Sequence, residues 1–137
     1  MANNVKLDRR FDWVGPPDPL SKIRSIRLRR VDNETNLERD YRLARESLNE
    51  WNSDFWRRHN QEFERCKSEF VAKKKETLGK LTQVSAEEMS VFYRDFLNQR
   101  RSELANYNSE WYRRNFSLIW PALKVNLIRV RRLILRR

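Results

Sequence analysis

Glycine is almost absent from this chain of 137 residues, which has only Gly15 and Gly79. That scarcity excludes the glycine-rich loops that cradle phosphates in nucleotide-binding enzymes, and it argues against a sheet with many tight turns. Cysteine and histidine occur once each, as Cys66 and His59. A lone thiol forms no intramolecular disulfide, and one thiol with one imidazole falls short of the ligand sets that hold zinc or copper. No metal or other cofactor is expected. No apolar run reaches the ~18–20 residues that span a bilayer. The nearest, from Phe116 to Ile128, is shorter and carries Lys124. Nucleophile elbows are missing, and so are carboxylate pairs set apart from ordinary helix surface. Glu38 with Arg42, and Glu46 with Glu50, have the four-residue spacing of a solvated helix face. The chain is read as non-enzymatic.

Positive charge is what the chain has in excess. Its formal net charge is +11, with 36% charged and 12% aromatic residues. Such a balance implies an anionic partner, either nucleic acid or an anionic lipid surface. The length supports one domain. An Arg-, Glu- and Leu-rich, glycine-poor composition favours long helices, and the fold class expected is all-α.

Residues 1–33 read as an extended basic N-terminal arm. Pro16, Pro17 and Pro19 lack an amide hydrogen and push their predecessors out of helical geometry, and Gly15 permits a sharp turn. The basic strip from Lys22 to Arg30 alternates with apolar residues, as an extended segment lying on a helical body would. Lys6, Arg9 and Arg10 have the charge of a mitochondrial targeting segment, but Asp8 and a lack of serine do not fit one. Residues 34–137 then form the helical domain. Leu37, Tyr41, Ala44, Leu48, Trp51 and Phe55 step by four and three, the spacing of a coiled-coil seam, and predict a helix over about 34–78. At 1.5 Å per residue it would be about 65 Å long, so it must bury that stripe against something. Ser85 and Glu88 form a capping box that starts a second helix, over about 85–111, with a stripe through Met89, Phe92, Tyr93, Phe96, Leu104, Tyr107 and Trp111. A long antiparallel helical hairpin of the two is the simplest way to cover both stripes.

Beyond Trp111 the pattern shifts. Phe116, Trp120, Leu123, Leu127, Val130 and Ile134 form a new stripe, roughly half a turn from the earlier one at about 100° per residue. Pro121 sits in the shift and should kink the chain into a C-terminal helix over about 112–135. From Ala122 onward the charged residues are Lys124, Arg129, Arg131, Arg132, Arg136 and Arg137, all basic. With Trp120 and Leu127 they make a basic amphipathic helix, suited to a membrane interface or a partner. The plainer reading is a third core helix with solvated arginines. RNA is the alternative partner, with Arg24, Arg27, Arg29 and Arg30 on phosphates and Trp13 or Trp120 stacked on bases. No RNA-binding signature accompanies them, so nucleic acid is ranked second. Cys66 beside Arg65 and Lys67 has a setting that lowers a thiol pKa, yet its place on the apolar stripe is ordinary packing. His59 reads as a stripe-edge residue rather than a haem ligand.

Four aromatic-rich blocks carry a family likeness. They are Asp12-Trp13-Val14-Gly15-Pro16-Pro17-Asp18; Glu50-Trp51-Asn52 with Phe55-Trp56; Glu87-Glu88-Met89 with Phe92-Tyr93 and Phe96-Leu97; and Asn108 with Trp111 to Phe116. In this order they resemble the mitochondrial cytochrome c oxidase assembly factor 8 family, also called apoptogenic protein 1. The resemblance implies a protein at the matrix side of the inner membrane that supports assembly or maintenance of respiratory complex IV. Its partners would be complex IV subunits or assembly intermediates. Neither enzymatic activity nor a cofactor comes with the family. The residues themselves suggest how such a factor reaches the membrane without crossing it: the C-terminal helix on anionic lipid such as cardiolipin. The turn of Trp13, Gly15, Pro16, Pro17 and Asp18 would be a second recognition element, or simply a Trp-Pro cap on the helical body.

Overall fold

A computed structural model describes residues 6–136, mostly helical with a small two-stranded sheet. In chain order the elements are β1 (Trp13–Pro17), β2 (Arg24–Arg27), α1 (Asn36–Leu78), α2 (Ala86–Gln99), α3 (Arg101–Ser117) and α4 (Ile119–Leu135).

The arm is where an all-α expectation fails. β1 and β2 pair antiparallel, with Trp13 opposite Arg27, Val14 opposite Ile26 and Pro17 opposite Arg24. The register is irregular between Val14 and Pro17, where two prolines have no N–H for a ladder. Asp18 builds the connection: its Oδ1 accepts from the amides of Leu20 (2.9 Å) and Ser21 (2.8 Å). Lys22 takes the left-handed conformation, φ 64°, and closes the loop with its amide on the Asp18 carbonyl at 2.9 Å.

Thr35 caps α1 by accepting the Glu38 amide on its hydroxyl, 3.2 Å, which satisfies one of the free donors of a first turn. The expected apolar seam holds in the middle of α1 but not at its start. Leu37 and Ala44 are exposed, while Glu38 and Arg42, read above as a solvated pair, are 6% and 7% exposed. Each has found another partner: Glu34 lies 2.9 Å from Arg42, and Glu38 accepts from Arg132 Nη1 at 2.8 Å. Buried charge is tolerated here because it is paired.

Farther along, aromatic rings join α1 to the helices that follow, stepping backwards along α1 as those helices advance. Phe70 stacks on Phe92, centroids 5.1 Å apart, and Phe63 meets Phe96 edge to face at 5.1 Å. His59 contacts Phe96 at 5.5 Å, and Phe55 stacks on Tyr107 at 4.0 Å. The Arg114 guanidinium then sits 4.5 Å over Trp51. Tyr107 is the hub. Its hydroxyl donates to Asn52 Oδ1 and accepts from Trp56 Nε1 at 2.9 Å, while its ring also stacks on Trp51 at 5.3 Å. The block Trp51, Asn52, Phe55 and Trp56 thus converges on one phenol.

The second helix begins at Ser85 with both arms of the capping box made, but it is not continuous to residue 111. It breaks at Arg100, φ −102° and ψ 14°, whose guanidinium leaves the surface to lie 4.1 Å over Phe96 and 2.8 Å from Glu62. The next break falls at Leu118 rather than at Pro121 or residue 112. Pro121 is the third residue of α4, inside the first turn, where a missing N–H costs no intrahelical bond.

Candidate functional site

α4 presents two faces. The inner one is Leu118, Pro121, Ala122, Val125, Ile128 and Arg132, all partly or fully covered, with Val125 1% exposed. The stripe read from the sequence is the other one. Phe116 (65% exposed), Trp120 (62%), Leu127 (62%) and Ile134 (65%) point away from the body, with Leu123 and Val130 between them. A half-turn separation of Val125 from Leu123 and Leu127 follows from about 100° per residue. Phe116 lies on α3, before the break at Leu118, and Tyr112 continues the row along α3, its ring stacked on Phe116 at 6.3 Å. Together these side chains form a contiguous exposed apolar row on an otherwise polar surface.

The basic residues of the C-terminal segment divide between two places. Lys124 and Arg131 lie beside the apolar row, Lys124 with its Nζ 5.4 Å from the Trp120 ring. Arg129, Arg132 and Arg136 instead line a cleft of about 720 Å³ with the start of α1 and residues 28–34. Arg132 is spent on Glu38 and on the Asn33 carbonyl, so it holds α4 to α1. Arg137 lies outside the described residues. Upstream, Arg113 and Arg114 clamp Glu110 at 2.6 and 2.8 Å and hold its carboxyl at about 2. The last acid of the sequence is therefore neutralised, and α4 carries no acidic residue.

The Trp13–Asp18 turn sits elsewhere, on the middle of α1. The Trp13 ring closes over Gly15, where an added Cβ would come within 2.6 Å of it; glycine is required for that approach. Pro16 and Pro17 are exposed. Asp18 Oδ2 accepts from Arg57 at 3.1 Å, Ser21 and Ser53 share a buried hydroxyl hydrogen bond of 2.8 Å, and Asn60 donates to the Leu20 carbonyl at 2.7 Å. These bonds fasten the turn to α1 and leave it apart from the outward row of α4. Of the arginines considered for RNA, Arg24 is engaged with the Gly15 carbonyl at 3.1 Å.

The Ser21 amide, the Arg57 guanidinium and the Leu20 amide hold the Asp18 carboxyl at about 2, below its ordinary 3.8. A depressed folded pKa gives stability that is complete above the ordinary value and fades as pH falls through the lowered one. Asp18→Asn should therefore lower the melting temperature at neutral pH, and the gap to the parent should close between about pH 4 and 2. A gap independent of pH in thermal melts would remove the charge from the explanation.

Sequence reasoning missed the cleft. Glu34, Arg42 and Arg45 line it with Arg129 and Arg136, but residues so far apart in sequence offer no local periodicity to connect them. Among the described residues, no three His, Cys, Asp or Glu side chains gather as a metal site. No described helix is long and apolar enough to cross a membrane.

Compared with known proteins, residues 11–131 match the family described as cytochrome c oxidase assembly factor 8. The chain belongs to that family. A mitochondrial family member of Caenorhabditis elegans is 66% identical over 135 residues, 98% of this chain and 95% of the relative. Cytochrome c oxidase assembly factor 8 of Homo sapiens is 37% identical over 127 residues, 87% of this chain and 62% of the human protein. The mitochondrial family member of Drosophila melanogaster is 39% identical over 126 residues, 92% of this chain and 70% of the relative. No solved structure matches. The family match starts at Phe11 and runs into α4, so it includes both the turn on α1 and most of the outward row.

Proposed function

We propose that this member of the assembly factor 8 family supports assembly or maintenance of cytochrome c oxidase in mitochondria, as a non-enzymatic factor held peripherally on the matrix side of the inner membrane. The relatives' names supply the process and the organelle. The observation that carries the membrane part is the outward row that begins at Phe116 on α3 and runs along α4 to Ile134, bordered by Lys124 and Arg131 and free of acidic residues. Such a helix lies in the headgroup region, its apolar side chains below and its cations level with lipid phosphates. In this reading the antiparallel helical hairpin is the scaffold, α4 meets anionic lipid such as cardiolipin, and complex IV subunits or intermediates are engaged from there.

The test is flotation of the full chain with cardiolipin-containing and with neutral vesicles, over a salt series, with an RNA oligomer as competitor. Salt-sensitive flotation on the anionic vesicles, undisturbed by RNA, is expected. Lys124→Glu with Arg131→Glu should weaken it, since each cation near an anionic leaflet contributes about 1 kcal/mol. Flotation that RNA abolishes, or none at all, would overturn the membrane reading.

A further inference from the structure

The cleft between the arm, the start of α1 and the end of α4 plays no part in the surface just described. Its lining holds six arginines against four carboxylates. Three of those carboxylates are occupied from within. Asp12 accepts the Arg29 amide at 2.7 Å, Glu34 accepts Arg42 Nε and Nη2 at 2.9 Å each, and Glu38 accepts Arg132. Asp32 is the fourth. On the cationic side, the ion pairs among the described residues include neither Arg45, Arg129 nor Arg136. All three side chains are exposed, and Arg45 rests 5.8 Å over the Tyr41 ring.

Arg42 supplies the second observation. Its side chain is 8% exposed, and the guanidinium uses its Nε–Nη2 edge on Glu34. That pairing holds the Glu34 carboxyl below its ordinary range. The remaining nitrogen, Nη1, is buried with no hydrogen-bond partner among the described residues. A buried cationic donor left open is costly, and such donors are normally met by a protein group, a water or a ligand.

We infer that this cleft binds a phosphate group, with Arg45, Arg129 and Arg136 around it and Arg42 at its buried side. Guanidinium forks donate paired N–H bonds, and a phosphate has enough oxygens to accept from several forks at once, where a carboxylate has two. Leu133 and Leu135 stand in the same lining, 65% and 73% exposed, so apolar surface adjoins the charge. A phospholipid headgroup and a free phosphate ester are the two sources of this chemistry. Phosphate binding here requires no membrane, so it stands or falls apart from the outward row of α4.

Isothermal titration of the full chain with glycerol phosphate, and with dihexanoyl phosphatidylglycerol below its micelle concentration, tests this. The cleft variant is Arg45→Gln with Arg129→Gln, whose exposed side chains the fold does not require; circular dichroism melts check this. The control is Lys124→Gln with Arg131→Gln, on the outward face. The parent and the control should bind alike, and the cleft variant should bind at least about tenfold more weakly, the loss typical of removing a charge-assisted bond. Binding of both probes identifies the phosphate itself as the ligand, and binding of the lipid alone identifies a headgroup with its chains. No heat with either probe, or equal binding by the cleft variant, overturns the site.

Discussion

Phe96→Ala should lower the stability of the folded chain by about 3–5 kcal/mol, the range for truncating a buried phenylalanine. Phe96 is 3% exposed and stands where three helices meet. Its ring touches Phe63, His59 and Phe92, with centroids 5.1, 5.5 and 6.1 Å away. On its other side the Arg100 guanidinium lies at 4.1 Å, at the break between α2 and α3. Removal of the ring therefore leaves a cavity and also uncovers the cation that holds the break together with Glu62. The walls cannot simply close in, because Phe63 and His59 are fixed on α1 while Arg100 sits on a non-helical residue. Burial pushes the His59 imidazole below its ordinary pKa, so the cavity should also let that group charge more readily. Urea denaturation monitored by tryptophan fluorescence gives the free energy directly. A loss below about 1 kcal/mol would mean that this junction is not a core.

What was legible in the sequence follows from how local each signal is. The capping box at Ser85 and Glu88 depends on a few neighbouring residues and stands where the sequence puts it, and α1 ends at Leu78, the end expected from its stripe. The shift of apolar phase after Trp111 was also legible, and its meaning is that the inner face of α4 is built from smaller residues such as Ala122 and Val125. Those give a weak periodic signal beside Trp120 and Leu127, so the conspicuous stripe is the one left outside. Three things were not legible. The pairing of β1 with β2 was hidden by prolines that ordinarily argue against a strand. The break at Arg100 has no glycine or proline to announce it; it depends on Phe96 and Glu62. The cleft arginines are ordinary surface residues until the pairing of Glu38 with Arg132 brings α1 and α4 together. Charges of this kind carry no periodicity, and only the fold shows which are solvated and which are enclosed.

Leu123→Asp with Leu127→Asp should abolish flotation on cardiolipin-containing vesicles while leaving the melting temperature close to that of the parent. The two side chains are 47% and 62% exposed, so neither contributes much to the folded core. Seated in lipid, however, each would contribute roughly 1.5–3 kcal/mol, which together is a loss of at least about a hundredfold in partitioning. Two new carboxylates beside an anionic leaflet add repulsion in the same direction. Val125→Asp is the informative contrast. It lies on the same helix, two residues from each, but is 1% exposed on the covered face. An unpaired carboxylate there should unfold or strongly destabilise the chain, and any lost flotation would then report lost structure. Folded Leu123/Leu127 variants that still float would refute the outward row as an anchor. The basic residues alone would then have to carry the attachment, and Lys124 and Arg131 would show it by a dependence on salt that the apolar row does not share.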